Sequence, residues 1–262
     1  MSRKRIIFGL IWDRGSFCLS RNFRRQRVGN LDWLLNNYGF ENLSRHVDEL
    51  VLVDASPDGL SGDEFLRDLK IIGEHVFSPL IAGGNLSTVE RALEYFDCGA
   101  DKVLLNGAQY GNPDLVRTLA KRFGAQAVIS CVDYRITNEA LQVYCSNGSE
   151  QKAVEDLRPL FDEGNVGEVL LQSIEADGTG NGVDLRGVNL FPWHLEVPIL
   201  VAGGAGKAIH LEQALAAPAV SGIVTANILN FVGDGLATAR QRVIEASIDI
   251  GHWGSWDDLA GR

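Results

Sequence analysis

The sequence predicts a (β/α)₈ barrel made of two similar halves. Eight short apolar runs alternate with longer segments of helical periodicity. A motif ending in Ala-Gly-Gly occurs twice, about half a chain apart. The chain has 262 residues, which suits one such barrel. We therefore expect a single domain over 1–262, with 248–262 as a C-terminal tail.

The eight apolar runs are the predicted strands. Several are almost uninterrupted, as in 51–53 and 197–202, which is typical of strands buried on both faces. Such strands form a parallel sheet covered by helices. The predicted strands are, in order, 5–12, 49–54, 78–82, 102–106, 127–133, 168–173, 198–202 and 222–226.

The segments between the runs carry apolar residues at spacings of three and four, which indicates amphipathic helices. The clearest are 88–96, 113–123 and 211–216. Ser87 and Asn112 are candidate N-caps. An open, doubly wound sheet is the competing fold, but no GxGxxG motif follows the first strand, which disfavours its dinucleotide-binding version.

An internal repeat favours the closed barrel. The sequence "PLIAGGN…ADKVLLN" lies within 79–106, and "PILVAGGAG…SGIVTAN" lies within 198–227. In both, a strand ends in Ala-Gly-Gly, a helix follows, and the next strand ends in Asn. Two such halves of four β/α units predict a TIM barrel with pseudo-twofold symmetry.

Composition excludes several classes of function. The formal net charge is −10 and the pI is about 5.0, so we expect no nucleic-acid partner. No apolar stretch is long enough to span a membrane. The four cysteines form no CxxC pair, so we expect reduced thiols in a cytoplasmic protein that uses no metal and no cofactor.

Glycine-rich segments at predicted strand ends are candidates for binding a phosphate. Glycine lets backbone N–H groups approach an anion closely, and active sites of such barrels lie at the carboxyl ends of the strands. These glycines could instead serve only tight turns. The candidates near the ends of strands six to eight are Asp177, Gly178, Thr179, Gly203, Gly204, Ala226 and Asn227.

The opposite half of the barrel offers a second set of the same kind. Gly83 and Gly84 follow the third strand, and Asn106 ends the fourth. Together they predict a second phosphate site, so the ligand would be a phosphorylated small molecule.

Six segments resemble the cyclase subunit of imidazole glycerol phosphate synthase, in order and at matching spacing from about residue 3 to 231. The resemblance implies a barrel that takes ammonia from a glutaminase partner, carries it through the barrel and adds it to a phosphorylated substrate. The segments are "KRII" at 4–7, "VDELVLVDAS" at 47–56, "GADKVLLN" at 99–106, "FGAQAVISCVD" at 123–133, "LLQSIEADGTGNGVD" at 170–184 and "GGAGK" at 203–207.

Four charged residues stand at the starts of predicted strands. Arg5, Glu49, Lys102 and Glu168 match the family's charged gate at the ammonia entrance. Two cations and two anions placed together can pair and so tolerate partial burial. The alternative is four independent solvated charges. If the gate is real, this end of the barrel binds the glutaminase.

The resemblance also implies two catalytic aspartates, acting as general acid and base. Asp133 ends the fifth strand and matches one of them, although such an Asp could also cap a turn. The other should stand at position 11, where this chain has Ile11. Asp13 has the same parity as Ile11, but lies beyond the expected strand end.

The absence of that aspartate leaves three hypotheses. The chain resembles a branch of the family associated with surface-polysaccharide (O-antigen, lipopolysaccharide) biosynthesis, in which barrel and glutaminase supply ammonia to a separate sugar amidotransferase. It could instead be a true cyclase of histidine biosynthesis, or a non-catalytic barrel that binds a phosphate ligand.

Two further segments lie outside the regular pattern. The sequence predicts a small hairpin at 136–147, where polar and apolar residues alternate. The segment 14–29 contains five arginines, which could clamp a phosphate or nucleotide-sugar, or could form a solvated loop.

Overall fold

The computed structural model describes residues 3–37, 40–43, 45–57, 62–226 and 235–251. Their strands, in chain order, are β1 (Arg5–Asp13), β2 (Ser16–Arg21), β3 (Arg24–Gly29), β4 (Glu49–Asp54), β5 (Leu80–Gly83), β6 (Lys102–Leu105), β7 (Val128–Thr137), β8 (Ala140–Cys145), β9 (Glu150–Lys152), β10 (Glu168–Ser173), β11 (Ile199–Ala202) and β12 (Val220–Thr225).

Eight of these strands are parallel and close on themselves. Their order around the barrel is β1, β4, β5, β6, β7, β10, β11 and β12, and β12 pairs with β1. The two halves of four strands meet where β6 pairs with β7 and where β12 pairs with β1. The predicted (β/α)₈ barrel is therefore confirmed.

Helices cover the outside of the barrel. Asn112 caps its helix as predicted, because its side chain accepts a hydrogen bond from Leu115 N. The helix that begins at Val89 is capped by Thr88 rather than by the predicted Ser87, because Thr88 Oγ1 accepts a hydrogen bond from Arg91 N. The helices are α1 (Leu31–Asn37), α2 (Phe40–Leu43), α3 (Glu64–His75), α4 (Val89–Asp97), α5 (Gly107–Gly111), α6 (Pro113–Phe123), α7 (Arg158–Asp162), α8 (Arg186–Asn189), α9 (Ala208–Ala216) and α10 (Gly235–Glu245).

None of the helices in these described ranges is long and apolar enough to cross a membrane. All four cysteines are free thiols.

Two antiparallel hairpins extend the barrel at its top, the end that carries the carboxyl termini of the parallel strands. The predicted hairpin is confirmed: β8 pairs with β7, and β9 extends it. The arginine-rich segment is also a hairpin rather than a loop, because β2 pairs with β1 and β3 pairs with β2. Asn22 and Phe23 turn this hairpin with φ of 51° and 63°, which matches the two-residue turn that suits the twist of hairpins.

The second glycine of each Gly-Gly pair in the repeat adopts the same left-handed conformation. Gly84 and Gly204 have φ of 83° and 93°. A Cβ at either position would lie 1.9 Å from a backbone oxygen, that of Asp54 or that of Gly182. Only glycine fits both positions, which is why the repeat keeps them.

A buried ion pair fastens the bottom of the barrel, the end where the parallel strands begin. Arg240 of α10 donates to both carboxylate oxygens of Asp48, at 3.0 and 2.8 Å. The same carboxylate accepts from Ile6 N at 2.8 Å. Next to this pair, the part of the predicted tail that the structure describes lies against the start of β1, since Lys4 N donates to Asp249 O. The remainder of the tail, 252–262, lies outside the described residues.

Replacing Arg240 with methionine should lower the free energy of unfolding by about 3 kcal/mol, because it leaves the Asp48 carboxylate buried without its cation. Urea denaturation would measure this loss. Arg117→Met is the matched control, because Arg117 pairs with Glu163 on the surface, where breaking the pair should cost far less. Equal losses in the two variants would contradict the prediction.

Candidate active site

The four predicted gate residues form one connected ring of ion pairs at the bottom of the barrel. Arg5 Nη1 donates to Glu49 Oε1 at 2.8 Å, and Arg5 Nη2 donates to Glu168 Oε2 at 2.8 Å. Lys102 Nζ donates to Glu49 Oε1 at 2.8 Å and to Glu168 Oε1 at 2.7 Å. Each cation thus bridges both carboxylates, which is not the arrangement of four independent solvated charges.

Burial and pairing oppose each other within this ring. Burial alone would lower the pKa of Arg5, but the hydrogen bonds and charges of Glu168 and Glu49 outweigh it and hold the pKa above its ordinary value. Burial alone would raise the pKa of Glu168, but hydrogen bonds and charges from Arg5 and Lys102 lower it. Arg5 and Glu168 are therefore both charged near neutral pH. The second oxygen of Glu49, Oε2, is buried and has no hydrogen-bond partner among the described residues.

An apolar layer lies directly above the ring, inside the barrel. Strand register places the inward side chains at matching heights: Ile7 stands beside Val224, and Leu104 stands beside Ile129. This interior can pass a small neutral molecule, but it would disfavour an ion. The layer consists of Ile7, Val51, Ile81, Leu104, Ile129, Cys131, Leu170, Leu200, Ala202 and Val224.

Two connected cavities open above this layer. The smaller is about 160 Å³ and lies on the side of β10, β11 and β12, whereas the larger is about 1080 Å³ and lies on the side of β4 to β7. Ile11 lines both, so the position where the family pattern expects an aspartate faces the space where a ligand would sit. The other residues shared by both cavities are Ser20, Val53, Leu104 and Gln172.

Asp133 is a buried carboxyl group that lines the larger cavity. Cys131 Sγ donates to its Oδ1 at 3.4 Å, and Asn106 Nδ2 donates to its Oδ2 at 3.3 Å. Burial raises the pKa of Asp133 from its ordinary value of 3.8 to about 7. The hydrogen bond from the Cys131 thiol acts to lower this pKa, whereas the nearby charge of Asp177 acts in the same direction as burial. A carboxyl group of this pKa can donate or accept a proton near neutral pH.

This raised pKa predicts a pH-dependent stability. Between pH 3.8 and about 7 the unfolded chain has released the Asp133 proton while the folded chain retains it, so the free energy of unfolding falls as pH rises. The contribution is on the order of 4 kcal/mol. Urea denaturation at pH 4.5 and pH 7.5 should show a smaller pH-dependent loss for Asp133→Asn than for the wild type. An unchanged loss would contradict the assigned pKa.

Asp13 does not take the place of the missing aspartate. Arg14 Nε lies 2.8 Å from Asp13 Oδ1, and Arg25 Nε lies 3.5 Å from Oδ2. Asp13 lines neither cavity. Its carboxylate is therefore neutralised by two arginines of the segment that follows it.

The five arginines of that segment fall into two groups. Arg14 and Arg25 are paired with Asp13, and Arg25 also lines the larger cavity and donates to Ala55 O. The other three, which are exposed and line neither cavity, are Arg21, Arg24 and Arg27. Of the predicted arginine clamp, the structure thus brings only Arg25 to the cavity wall.

Asp177 holds the first hairpin across the mouth of the barrel. Its Oδ2 accepts from Ser20 Oγ at 2.5 Å and from Phe23 N at 3.0 Å. Asn22 Nδ2 donates to Glu175 O at 2.8 Å. The sequence predicts Asp177 as part of a phosphate site, but these hydrogen bonds already engage its carboxylate.

The remaining phosphate candidates divide between the two cavities. The smaller cavity is lined by Gly178, Gly203, Gly204 and Ala226 as well as by Asp177. Thr179 is not among its lining residues, since its hydroxyl donates to Ala176 O within its own turn. Asn227 lies outside the described residues.

In the opposite half, Gly84 and Asn106 line the larger cavity. Gly83 lines neither cavity: a Cβ there would lie 2.8 Å from Leu104, so this glycine serves packing between strands. Asn85 also lines the cavity, but its side chain donates to Asp54 Oδ2 at 2.9 Å.

Sequence reasoning missed several cavity residues. Gln172 stands beside Asp133 and Ala202 in register and lines both cavities. Its inward direction follows from parity with Glu168, four residues earlier on the same strand, and this would have identified it. Arg91 and Lys152 also line the larger cavity, but they come from a helix and a hairpin that no strand-end rule would select.

Comparisons with known proteins show the family of the chain. A model of the histidine biosynthesis protein family matches residues 40–233, which is more than half of the chain. The chain belongs to this family. Among its relatives are HisF subunits of imidazole glycerol phosphate synthase. One from Pyrobaculum aerophilum is 31% identical over 78% of this chain and 81% of its own length. Another from Chlorobium phaeovibrioides is 34% identical over 78% and 82%.

A third relative matches almost end to end. It is a Parasynechococcus marenigrum protein provisionally named imidazole glycerol phosphate synthase subunit hisF2, 36% identical over 97% of this chain and 95% of its own length. The resemblance inferred from motifs is thus confirmed at the level of the HisF family.

Proposed function

We propose that this HisF-family barrel accepts ammonia from a glutaminase subunit docked at its bottom and conducts it to the top, where it serves the amidation of a surface-polysaccharide sugar. The observation that carries this proposal is the pairing of a complete charged ring with Ile11 in the ligand space. The entrance has its full set of residues, whereas one proton-transfer group of the cyclase reaction has been replaced.

The path between the two ends supports conduction of neutral ammonia. The ring of Arg5, Glu49, Lys102 and Glu168 closes the bottom and can open if one side chain swings away. Above it, inward apolar side chains lead to the smaller cavity, whose lining reaches from Gly9 and Leu170 up to Gly204. An apolar path admits ammonia and resists ammonium and hydronium.

The state of the carboxyl groups supports an acceptor other than the cyclase substrate. Of the two positions expected to carry the pair, only that of Asp133 holds a titratable group, because Ile11 cannot transfer a proton, and the nearby Asp13 is held by Arg14 and Arg25. Loss of one member of such a pair typically costs about 10²–10⁴-fold in rate. In this proposal, a separate sugar amidotransferase completes the reaction.

A second candidate function is cyclisation in histidine biosynthesis. The HisF names of the relatives and the pKa of about 7 at Asp133 favour it. In that case one carboxyl group, aided by another group of the cavity, would perform both proton transfers.

Two experiments separate these candidates. The barrel is mixed with the glutaminase of its own organism, and co-elution and glutamine hydrolysis are measured. We expect a complex and faster hydrolysis than with glutaminase alone, and absence of a complex would refute the proposal. The barrel is also expressed in a histidine auxotroph that lacks its HisF. Growth would establish the cyclase function instead, whereas well-folded protein without growth supports ammonia conduction.

A further inference from the structure

Three arginines without ion-pair partners stand at the mouth of the barrel. Arg21, Arg24 and Arg27 lie on the hairpin of β2 and β3, here called the arginine hairpin (16–29), and all three are exposed. Within the described ranges none of them forms an ion pair, whereas the other two arginines of this part of the chain pair with Asp13. The hairpin therefore carries unpaired positive charge at the top of a chain whose formal net charge is −10.

The strand register turns two of these arginines away from the barrel interior. Ser20 and Arg25 stand opposite each other, and both line the larger cavity. Successive side chains of a strand point to opposite faces, so the neighbouring pair, Arg21 and Arg24, points outward. Like charges directly opposite each other destabilise a pair of strands. The isolated barrel thus gains nothing from this pair, and its charge suits a contact with a molecule outside the barrel.

The arginine hairpin is held in place across the mouth. Asp177 Oδ2 accepts from Phe23 N at 3.0 Å, and Asp177 O accepts from Asn22 N at 3.0 Å. The backbone of Gly178 also lies close to the hairpin, since a Cβ there would stand 2.0 Å from Ser20 O. A surface that is already ordered loses less conformational entropy when a partner binds it.

The outer edge of the hairpin is open to a partner as well. Among the described strands, β3 pairs with β2 alone. Exposed charge on such an edge strand can serve merely to prevent edge-to-edge association. A glutamate would protect the edge as well as an arginine does, whereas only a positive charge attracts an acidic surface. Charge reversal therefore separates these two roles.

We infer that the arginine hairpin docks the enzyme that receives the ammonia, through an acidic surface of that enzyme. The inference rests on the proposed function, which assigns the final reaction to a separate sugar amidotransferase. Ammonia released into neutral water becomes protonated, so its delivery requires a contact that excludes water at the top of the barrel. The net negative charge of the barrel repels an acidic partner, while the hairpin attracts it, so the hairpin also orients the two proteins.

The test measures how fast the barrel–glutaminase complex associates with the sugar amidotransferase of the same organism, by surface plasmon resonance. We expect the double variant Arg21→Glu/Arg24→Glu to associate at least about tenfold more slowly at low salt, with a difference that shrinks as salt is added. Arg24→Lys keeps the charge and should associate like the wild type.

Lys70→Glu is the matched control for a change of charge. Lys70 is exposed on α3, outside the arginine hairpin, so its reversal should leave the association rate unchanged. Thermal unfolding of each variant verifies that it is folded.

The outcomes distinguish this inference from the proposed function. If the wild type binds the amidotransferase and the double variant associates within about twofold of it, the docking surface is refuted while the proposed function stands. If the amidotransferase does not bind the wild-type complex, docking is refuted, and the association of barrel and glutaminase still decides the proposed function. If a nucleotide-sugar binds instead and the double variant loses that affinity, the hairpin is a ligand clamp and the inference is overturned.

Discussion

Ile11→Asp is expected to raise the formation of imidazole glycerol phosphate from ammonium by about 10²–10⁴-fold over the wild type. The new carboxylate would face both cavities, as Ile11 does, and would complete the pair with Asp133. The pKa of Asp133, raised to about 7 by burial, already suits a proton-transfer group near neutral pH. Product formation with saturating ammonium and no glutaminase measures this effect without involving the bottom of the barrel.

Two matched variants control for the shape of the new side chain. Ile11→Asn has nearly the same size but cannot exchange a proton, so it should remain at the wild-type rate. Adding Asp133→Asn to Ile11→Asp should remove the gain. A folded Ile11→Asp protein no faster than the wild type would show that the strand-end glycines do not hold the family's substrate. It would thereby favour an acceptor of a different shape.

Arg5→Met is expected to lower the free energy of unfolding at neutral pH by about 5 kcal/mol, the upper end for breaking a buried ion pair. The loss is large because Arg5 bonds to both Glu49 and Glu168, which would then share Lys102 alone. Lys102→Met should cost less, since Arg5 would still bridge the two carboxylates.

The sign of the pH dependence provides a second measurement. In the wild type, hydrogen bonds from Arg5 and Lys102 lower the pKa of Glu168 despite its burial, so this stabilisation is present above its ordinary pKa of 4.5 and lost as pH falls through the lowered value. In Arg5→Met the ionised carboxylates destabilise the fold. The difference between variant and wild type should therefore shrink as pH is lowered below 4.5. Urea denaturation from about pH 3 to pH 8 would test it, and a difference that stays constant down to the acidic end would contradict the paired ring.

Local sequence was sufficient for much of the architecture. Apolar runs of strand length and the cap at Asn112 each depend on residues near one another in the chain, and these predictions succeeded. The cap at Ser87 was wrong by one residue, since Ser87 and Thr88 are both suitable caps and only the backbone decides between them. The sequence did not decide whether the arginine-rich segment clamps a ligand or forms a solvated loop, because no local pattern shows that it pairs with β1.

The parts of the candidate site that follow from strand parity and strand ends were predictable. Contacts between residues that lie far apart in the chain were not. The four charges expected at strand starts do meet in space, and Asp133 lines the larger cavity, although its strand continues to Thr137. No such rule shows that Asp177 would hold Ser20 and Phe23, which lie 157 and 154 residues away in the chain. The same applies to Arg25, whose guanidinium meets Asp13 only because the hairpin folds back over β1.

The sequence by itself determined the barrel, its two related halves, the identity of the four ring residues and the absence of a carboxylate at position 11. The barrel and its halves follow from residue type, period and spacing, which are properties of chain neighbours, whereas the ring and the expectation at position 11 came from the resemblance to the cyclase family. Only the tertiary structure decided that Arg5 and Lys102 each bridge both glutamates. It also decided that Asp13 forms ion pairs with two arginines and that burial raises the pKa of Asp133 to about 7. Ion pairing and burial depend on which groups meet in space, and Arg5 and Glu168 meet across 163 residues of chain.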